Sequence, residues 1–278
     1  MNATRSSAAM GTIMSVVTAL ALSPACARAA VGVEGITAVS SKVSPDYVRT
    51  RLADGSFQPE EFGFVDGGRL DGTFRDPSID KLAFLDVAKT LAGPLAAQGY
   101  VPAKGLDSER LLIVVFWGTT IVSDPFNMST GVISGNGSIV YLDSVQRDVL
   151  DAKNAKILGY DSEKLIQSDF GNFFTYTGMP GQLRDELVSE IEESRYFVVL
   201  LAYDFQAFRK GIKHKLWETR FSINEPSNHF DKALLAMAQY ASVYFGQDSR
   251  GLLRKPIPEG SVKVGEPKAL GEVEAPAK

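Results

Sequence analysis

The sequence predicts an α+β protein: a single mixed, largely antiparallel sheet packed by helices on one side, with a mixed insertion. Three observations carry this. Two stretches, Leu111–Val122 (LLIVVFWGTTIV) and Phe197–Phe205, are apolar on both faces, as strands in mid-sheet are. Between Lys213 and Ile223 the pattern alternates, and a short basic loop holding Arg209, Lys210 and Gly211 joins this run to the strand before it, as in a hairpin. Two long segments, 77–98 and 230–245, carry apolar stripes at helical spacing.

In chain order, Val31–Ser56 lacks a period and reads as an extended lead-in. Phe57–Val65 reads as a strand, closed by turns at Gly67-Gly68 and Asp71-Gly72. Asp76-Pro77 has the form of a helix start, an oxygen-bearing cap followed by proline at the first helical position. One helix is expected from there to Gln98, with Phe84, Val87, Ala88, Leu91, Ala92 and Leu95 inward, a bend at Gly93-Pro94 and a stop at Gly99.

From Ser123 to Gly181 the signal weakens, and this is the insertion. It holds a turn at Gly135-Asn136-Gly137, a short strand over 139–142, and a helix from Asp143 to Leu158 with Val145, Val149, Ala152 and Ile157 inward. Gln182–Ser194 reads as an acidic amphipathic helix resting on Leu183, Leu187 and Ile191. In the last helix Asn228 is the expected cap, with Asp231 three residues on, and Gly246 the stop. Residues 251–278, rich in Pro, Gly, Lys and Glu, read as an extended or partly disordered tail. The pairing of helix and strand at 77–122 with helix and strand at 182–205 also admits a distant duplication. A single domain over 30–250 is the simpler account.

The first 29 residues read as an export signal. Arg5 precedes the apolar run Thr12–Leu22, Pro24 breaks it, and Ala27-Arg28-Ala29 offers the small-x-small pattern of a cleavage site after Ala29. That run is too short to span a bilayer, and no later stretch reaches 18 apolar residues, so no transmembrane helix is expected. Cys26 is the only cysteine. Cleavage after Ala29 removes it, and with it any disulfide or thiol chemistry. The alternative is lipidation at Cys26, since Leu22-Ser23-Pro24-Ala25-Cys26 is a degraded lipoprotein box. The expected locations follow: periplasm, outer membrane surface or medium.

Losing Arg5 and Arg28 leaves 27 basic residues of the 29 against 33 acidic, a net of −6. That is an ordinary solubility charge and argues against a nucleic-acid partner, which selects for basic excess.

The segment Leu95–Tyr100 with its Gln98-Gly99-Tyr100 turn, the strand Trp217-Glu218-Thr219-Arg220 and the helix at 230–245 together resemble a family of exported bacterial envelope proteins, many of them lipoproteins, known as a domain of unknown function. The resemblance covers about half of the mature chain, and the 123–181 insertion departs from it. It implies an envelope location and supplies no catalytic residue.

The motifs of chemistry are sparse. Gly135-Asn136-Gly137-Ser138 lacks the lysine of a phosphate loop, and there is no G-x-S-x-G elbow. The two histidines, His214 and His229, lie on separate elements without H-E-x-x-H, so no metal and no cofactor is expected. The adjacent acids Glu60-Glu61, Asp185-Glu186 and Glu192-Glu193 read as solvated faces; catalysis by two facing carboxylates is the enzymatic alternative.

Alternation places His214, Glu218 and Arg220 on one strand face. They form either a site for a small polar or anionic ligand, with arginine as the bidentate donor, or a half-exposed ion pair worth under about 1 kcal/mol. Phe170, Phe173, Phe174 and Tyr176 form either a lid over the core or an exposed contact patch for a partner, such as another envelope protein.

The sequence therefore points to an exported envelope protein that binds a ligand or partner without catalysis, with an exported hydrolase using acidic residues as the alternative.

Overall fold

The structure, a computed structural model, describes residues 35–73, 75–105, 108–123, 131–133, 139–165, 181–226 and 228–257. In chain order the elements are β1 (Gly35–Val43), β2 (Glu60–Leu70), α1 (Pro77–Asp80), α2 (Phe84–Ala96), β3 (Tyr100–Pro102) and β4 (Leu111–Thr119). The insertion contributes β5 (Gly131–Ile133), β6 (Ile139–Tyr141), α3 (Leu142–Leu158) and α4 (Ser162–Leu165). There follow α5 (Gly181–Glu192), β7 (Arg195–Asp204), α6 (Phe205–Arg209), β8 (Lys215–Asn224), α7 (Phe230–Ser242) and β9 (Leu252–Ile257). The signal region with Cys26 and Ala29, the aromatic cluster Phe170, Phe173, Phe174 and Tyr176, the 135–137 turn and the chain past Ile257 lie outside the described residues.

The fold is α+β, built on one mixed sheet of seven strands in the order β3-β2-β4-β7-β8-β1-β9. β2 pairs in parallel with β3 and β4; the other four pairings are antiparallel. The doubly apolar strands β4 and β7 lie side by side near the middle, the apolar residues on both of their faces matching burial on both sides.

Helices cover both faces, where one side was expected. On one face Tyr196, Val198, Leu200 and Ala202 of β7 join Trp217 and Phe221 of β8 beneath α1, α2 and α7. On the other, Phe197 and Val199 meet Ala155 and Leu158 of α3, Leu165 of α4 and Leu187 and Ile191 of α5. The physical reason is the period of two: neighbours along β7 point to opposite sides, so its unbroken apolar run needs two covers.

The aperiodic lead-in contains β1, which pairs with β8 and β9 inside the sheet. Its small polar residues disguised it. Ser41 Oγ is buried against Thr219 Oγ1 at 2.7 Å and donates to the Tyr244 carbonyl at 2.9 Å, so its hydroxyl is fully used. The start of the expected tail is likewise β9, the edge strand. Arg254 reaches from it to Glu190 and Glu186 on α5.

The expected helix 77–98 is two. Asp76 caps α1 by accepting from Ser78 N at 2.8 Å, and Asp86 accepts from Ala83 N at 3.1 Å at the start of α2. The last helix begins with His229 as its cap, in place of Asn228. Its first donor, Phe230 N, is satisfied from outside the helix by Ser78 Oγ at 2.9 Å, while Asn228 turns back to the Asn224 carbonyl at 2.9 Å. Among the described side chains of α3 the buried ones are Asp151, Asn154, Ala155 and Leu158, and Val149 is 64% exposed rather than inward; the side chain of Val145 lies outside the described ones. No helix among the described residues is long and apolar enough to cross a membrane.

Candidate functional site

The hairpin cluster does not assemble as the alternation of β8 predicts. A bulge intervenes: Ala202 faces Trp217 and Tyr203 faces Lys215, so Leu216 is an extra residue and the face reverses below it. Lys215 therefore sits with Glu218 and bonds its carboxylate, and Arg220 is 3.4 Å from the other oxygen. Burial works against the Glu218 charge, but these cations outweigh it and hold the carboxyl below its usual range. His214 points elsewhere, to Asp46 at 2.8 Å. Arg220 also donates to the carbonyls of Lys156 and Ile157 at 2.8 and 3.3 Å, closing the C-terminus of α3. Its donors are directed at the fold.

A different constellation lies where α2 and α7 both end. There a cleft of about 460 Å³ is lined by Arg51, Gly55, Ser56, Phe57, Ala96–Gly99, Val243 and Gln247. The chain reaches it through two left-handed glycines. Gly99, at φ +79, turns the end of α2 into β3. Gly246, at φ +67, passes so close to Tyr100 that a Cβ would lie 2.1 Å from its hydroxyl.

A column of rings and guanidinium groups runs from the core to this cleft. Trp217, fully buried, meets Tyr100 at 5.7 Å between centroids. Arg49 lies over Tyr100 and over Phe57, 4.1 Å from each centroid, and Arg51 lies 4.4 Å from the centroid of Phe57. Each such contact is worth about 0.5–2 kcal/mol, more as it is desolvated. Arg49 is only 8% exposed. Its Nη2 donates to the Gln98 carbonyl at 2.6 Å, while Nε and Nη1 are buried without a hydrogen-bond partner. Among the described residues no carboxylate forms an ion pair with Arg49 or Arg51.

Behind the column, Tyr47 donates to Glu60 at 2.6 Å and its hydroxyl is 3.2 Å from that of Tyr100. Burial, then the neighbouring Tyr100 and the bond to Glu60, push the Tyr47 hydroxyl far above the ordinary tyrosine range. Burial does the same to Tyr100, partly offset by the charge of Arg49. Both phenols stay neutral, so the positive charge of the column has no phenolate to offset it.

Two carboxyls have the raised affinity for protons that acid–base chemistry uses. Burial lifts Glu109 to about 7, and burial reinforced by Glu192 and Asp148 lifts Asp151 to about 6. They do not face each other. Glu109 precedes β4, whereas Asp151 is one turn of α3 before Asn154, which bonds the Ile121 carbonyl beyond the other end of that strand. The nine residues of β4, a strand about 30 Å long, run between the two positions.

Sequence reasoning missed Arg49, Arg51 and Phe57, which sit in and beside the lead-in. The signal available was an Arg-x-Arg pair beside a turn at Gly55 in an otherwise aperiodic stretch. Ala96–Gly99 and Val243 line this cleft, and Tyr100 and Trp217 lie behind it.

No family model matches the chain, and no curated protein matches it. Among solved structures it is similar to a PDZ domain protein from Parabacteroides distasonis ATCC 8503, at 13% identity and a TM-score of 0.38, over 80% of this chain and 38% of that one. It is also similar to a dodecameric PelC variant from Paraburkholderia phytofirmans, at 8% identity and a TM-score of 0.29, over 73% of this chain and 94% of that one. The chain thus spans less than half the length of the first, and at these values neither likeness extends to function.

Proposed function

We propose that the protein is exported to the bacterial envelope, is cleaved after Ala29, and binds a small polar ligand or a partner envelope protein without turning it over. The observation that carries the binding reading is Arg49: a buried guanidinium with two unpartnered donors, stacked behind the wall of an open cleft. Its charge is met by two rings and one carbonyl rather than by an anion, and the use that fits its position is to add positive potential behind the cleft wall for a complementary ligand. The export reading rests on the apolar run, its proline break and Ala27-Arg28-Ala29. The placement of Glu109 and Asp151 toward opposite ends of β4 speaks against a paired-carboxylate hydrolase built on them, whose acids stand at most about 10 Å apart.

Mass spectrometry of the protein isolated from fractionated native cells tests both halves. The denatured mass is expected to match a chain beginning at Ala30 in a periplasmic or secreted fraction. An acylated N-terminus at Cys26 in the membrane fraction would make it a lipoprotein and keep the envelope assignment. A full-length chain in the cytosol would overturn it. Under native conditions a non-covalent adduct is expected, and a bare chain under every condition would count against binding.

A further inference from the structure

Resting on that binding reading, we propose that the cleft selects a small organic carboxylate with an apolar body. The carboxylate lies on Arg51 at the rim, and the body lies against Phe57, Ala96, Ala97 and Val243. Charge supports this first. The cleft presents Arg51, and Arg49 stands behind the Phe57 ring; the residues lining it include no acid. The neighbouring carboxylate, Asp54, is spent on Ser56 N and Oγ at 2.9 and 2.6 Å, so the guanidinium of Arg51 is the charged group offered to a ligand against the weaker opposing poles of the α2 and α7 C-termini.

The hydrogen bonds agree. Arg51 spends one donor on the Gly55 carbonyl at 3.1 Å, which fixes the guanidinium beside the cleft, and it has no other hydrogen bond or ion pair among the described residues. A guanidinium fork with donors left over matches a carboxylate in geometry and charge. The lining then sets the rest of the ligand. Phe57, Ala96, Ala97 and Val243 offer apolar surface, and Val243 is half exposed with no cover. The side chains of Gln98 and Gln247 are the amides in reach of the cleft, suited to one or two polar groups on the body.

The test compares N-acetyl-leucine with N-acetyl-leucinamide, which share shape and differ in the charge. Binding to the mature protein is measured by calorimetry, with tryptophan emission as a second readout because Trp217 ends the column. The acid is expected to bind at least about tenfold more tightly than the amide, with affinity falling as salt rises. Ala97→Glu, at an exposed position in the lining, is expected to weaken the acid at least about tenfold while lowering the thermal midpoint by only a few degrees, the cost of a negative charge at the C-cap of α2. Arg51→Gln should narrow the preference for acid over amide.

Equal binding of acid and amide, both weakened by Ala97→Glu, would overturn the carboxylate class and leave a binding cleft. Acid binding that withstands Ala97→Glu would overturn this location. If neither compound binds at up to about 10 mM, the cleft fails as a carboxylate site. The native adduct then decides separately whether the protein binds anything.

Discussion

Gly246 shows how little freedom the cleft's support leaves. Its φ of +67 disfavours any residue with a Cβ, and the Tyr100 hydroxyl occupies the place that the Cβ would take, 2.1 Å away. Gly246→Ala is expected to cost about 2–4 kcal/mol in denaturant unfolding, from backbone strain plus overpacking. A loss below about 1 kcal/mol would mean that Tyr100 yields and the column is soft. Glu109 is a second tight fit, since a Cβ on Gly63 would fall 2.2 Å from its Oε1. The folded carboxyl keeps its proton up to about pH 7 and an unfolded one only to 4.5. Its contribution is therefore full below pH 4.5, declines as pH rises to about 7, and is absent above, a swing of up to about 3 kcal/mol. Glu109→Gln should flatten that part of the stability–pH curve, and a wild-type curve without the decline would show that the group is not raised.

Among the helices and strands, the instructive cases are those whose ends are finished by another element. α7 has no side-chain cap of its own, and Ser78 of α1 supplies the missing acceptor to Phe230 N. Ser78→Ala is expected to cost about 1–2 kcal/mol, because it removes this cap and the hydroxyl held by Asp76. Equal stability in thermal unfolding would show that water replaces the hydroxyl. Arg220 finishes α3 in the same way. Such partners are separated by 152 and 64 positions respectively, which is why local patterns named the wrong cap, Asn228, and left Arg220 between a ligand donor and an ion pair with no sign of its bonds to α3. The bulge at Leu216 hid for a related reason: alternation assumes one residue per partner, and nothing in KHKLWETR marks the extra one. Elements with unbroken patterns, β4, β7 and α7, were legible because their own burial sets their period.

The molecule as a whole is a sheet with two unequal covers, and the sequence held this information before the structure did. Strands as continuously apolar as β4 and β7 require both faces to be buried, so a one-sided layer of helices conflicts with their own pattern. The cleft was illegible for the opposite reason. It is assembled from the lead-in, the end of α2 and the end of α7, three segments whose proximity no period encodes. The covers differ in kind. Beneath α2 and α7 the described core is continuous and nearly all apolar, with Trp217 and Phe221 against Phe245, and Trp117 and Tyr196 against Phe230. Beneath α3 and α5 the apolar cluster is smaller among the described residues, and it shares its space with Arg195, Glu190, Asp151 and Asn154. Apolar burial contributes about 25 cal/mol per Å², whereas buried ionic groups return little net stability after desolvation. The α3–α5 cover should therefore open first. In native-state hydrogen exchange, amides of α3 and α5 are expected to exchange through a sub-global opening at lower free energy than those of α7, β4 and β7. Arg254→Ala, which strips Glu190 of its cation, should lower that opening further and leave the α7 amides unchanged. Exchange of all these elements at one common free energy would show that the two covers unfold as a single unit, and that the buried ions join the faces instead of weakening one of them.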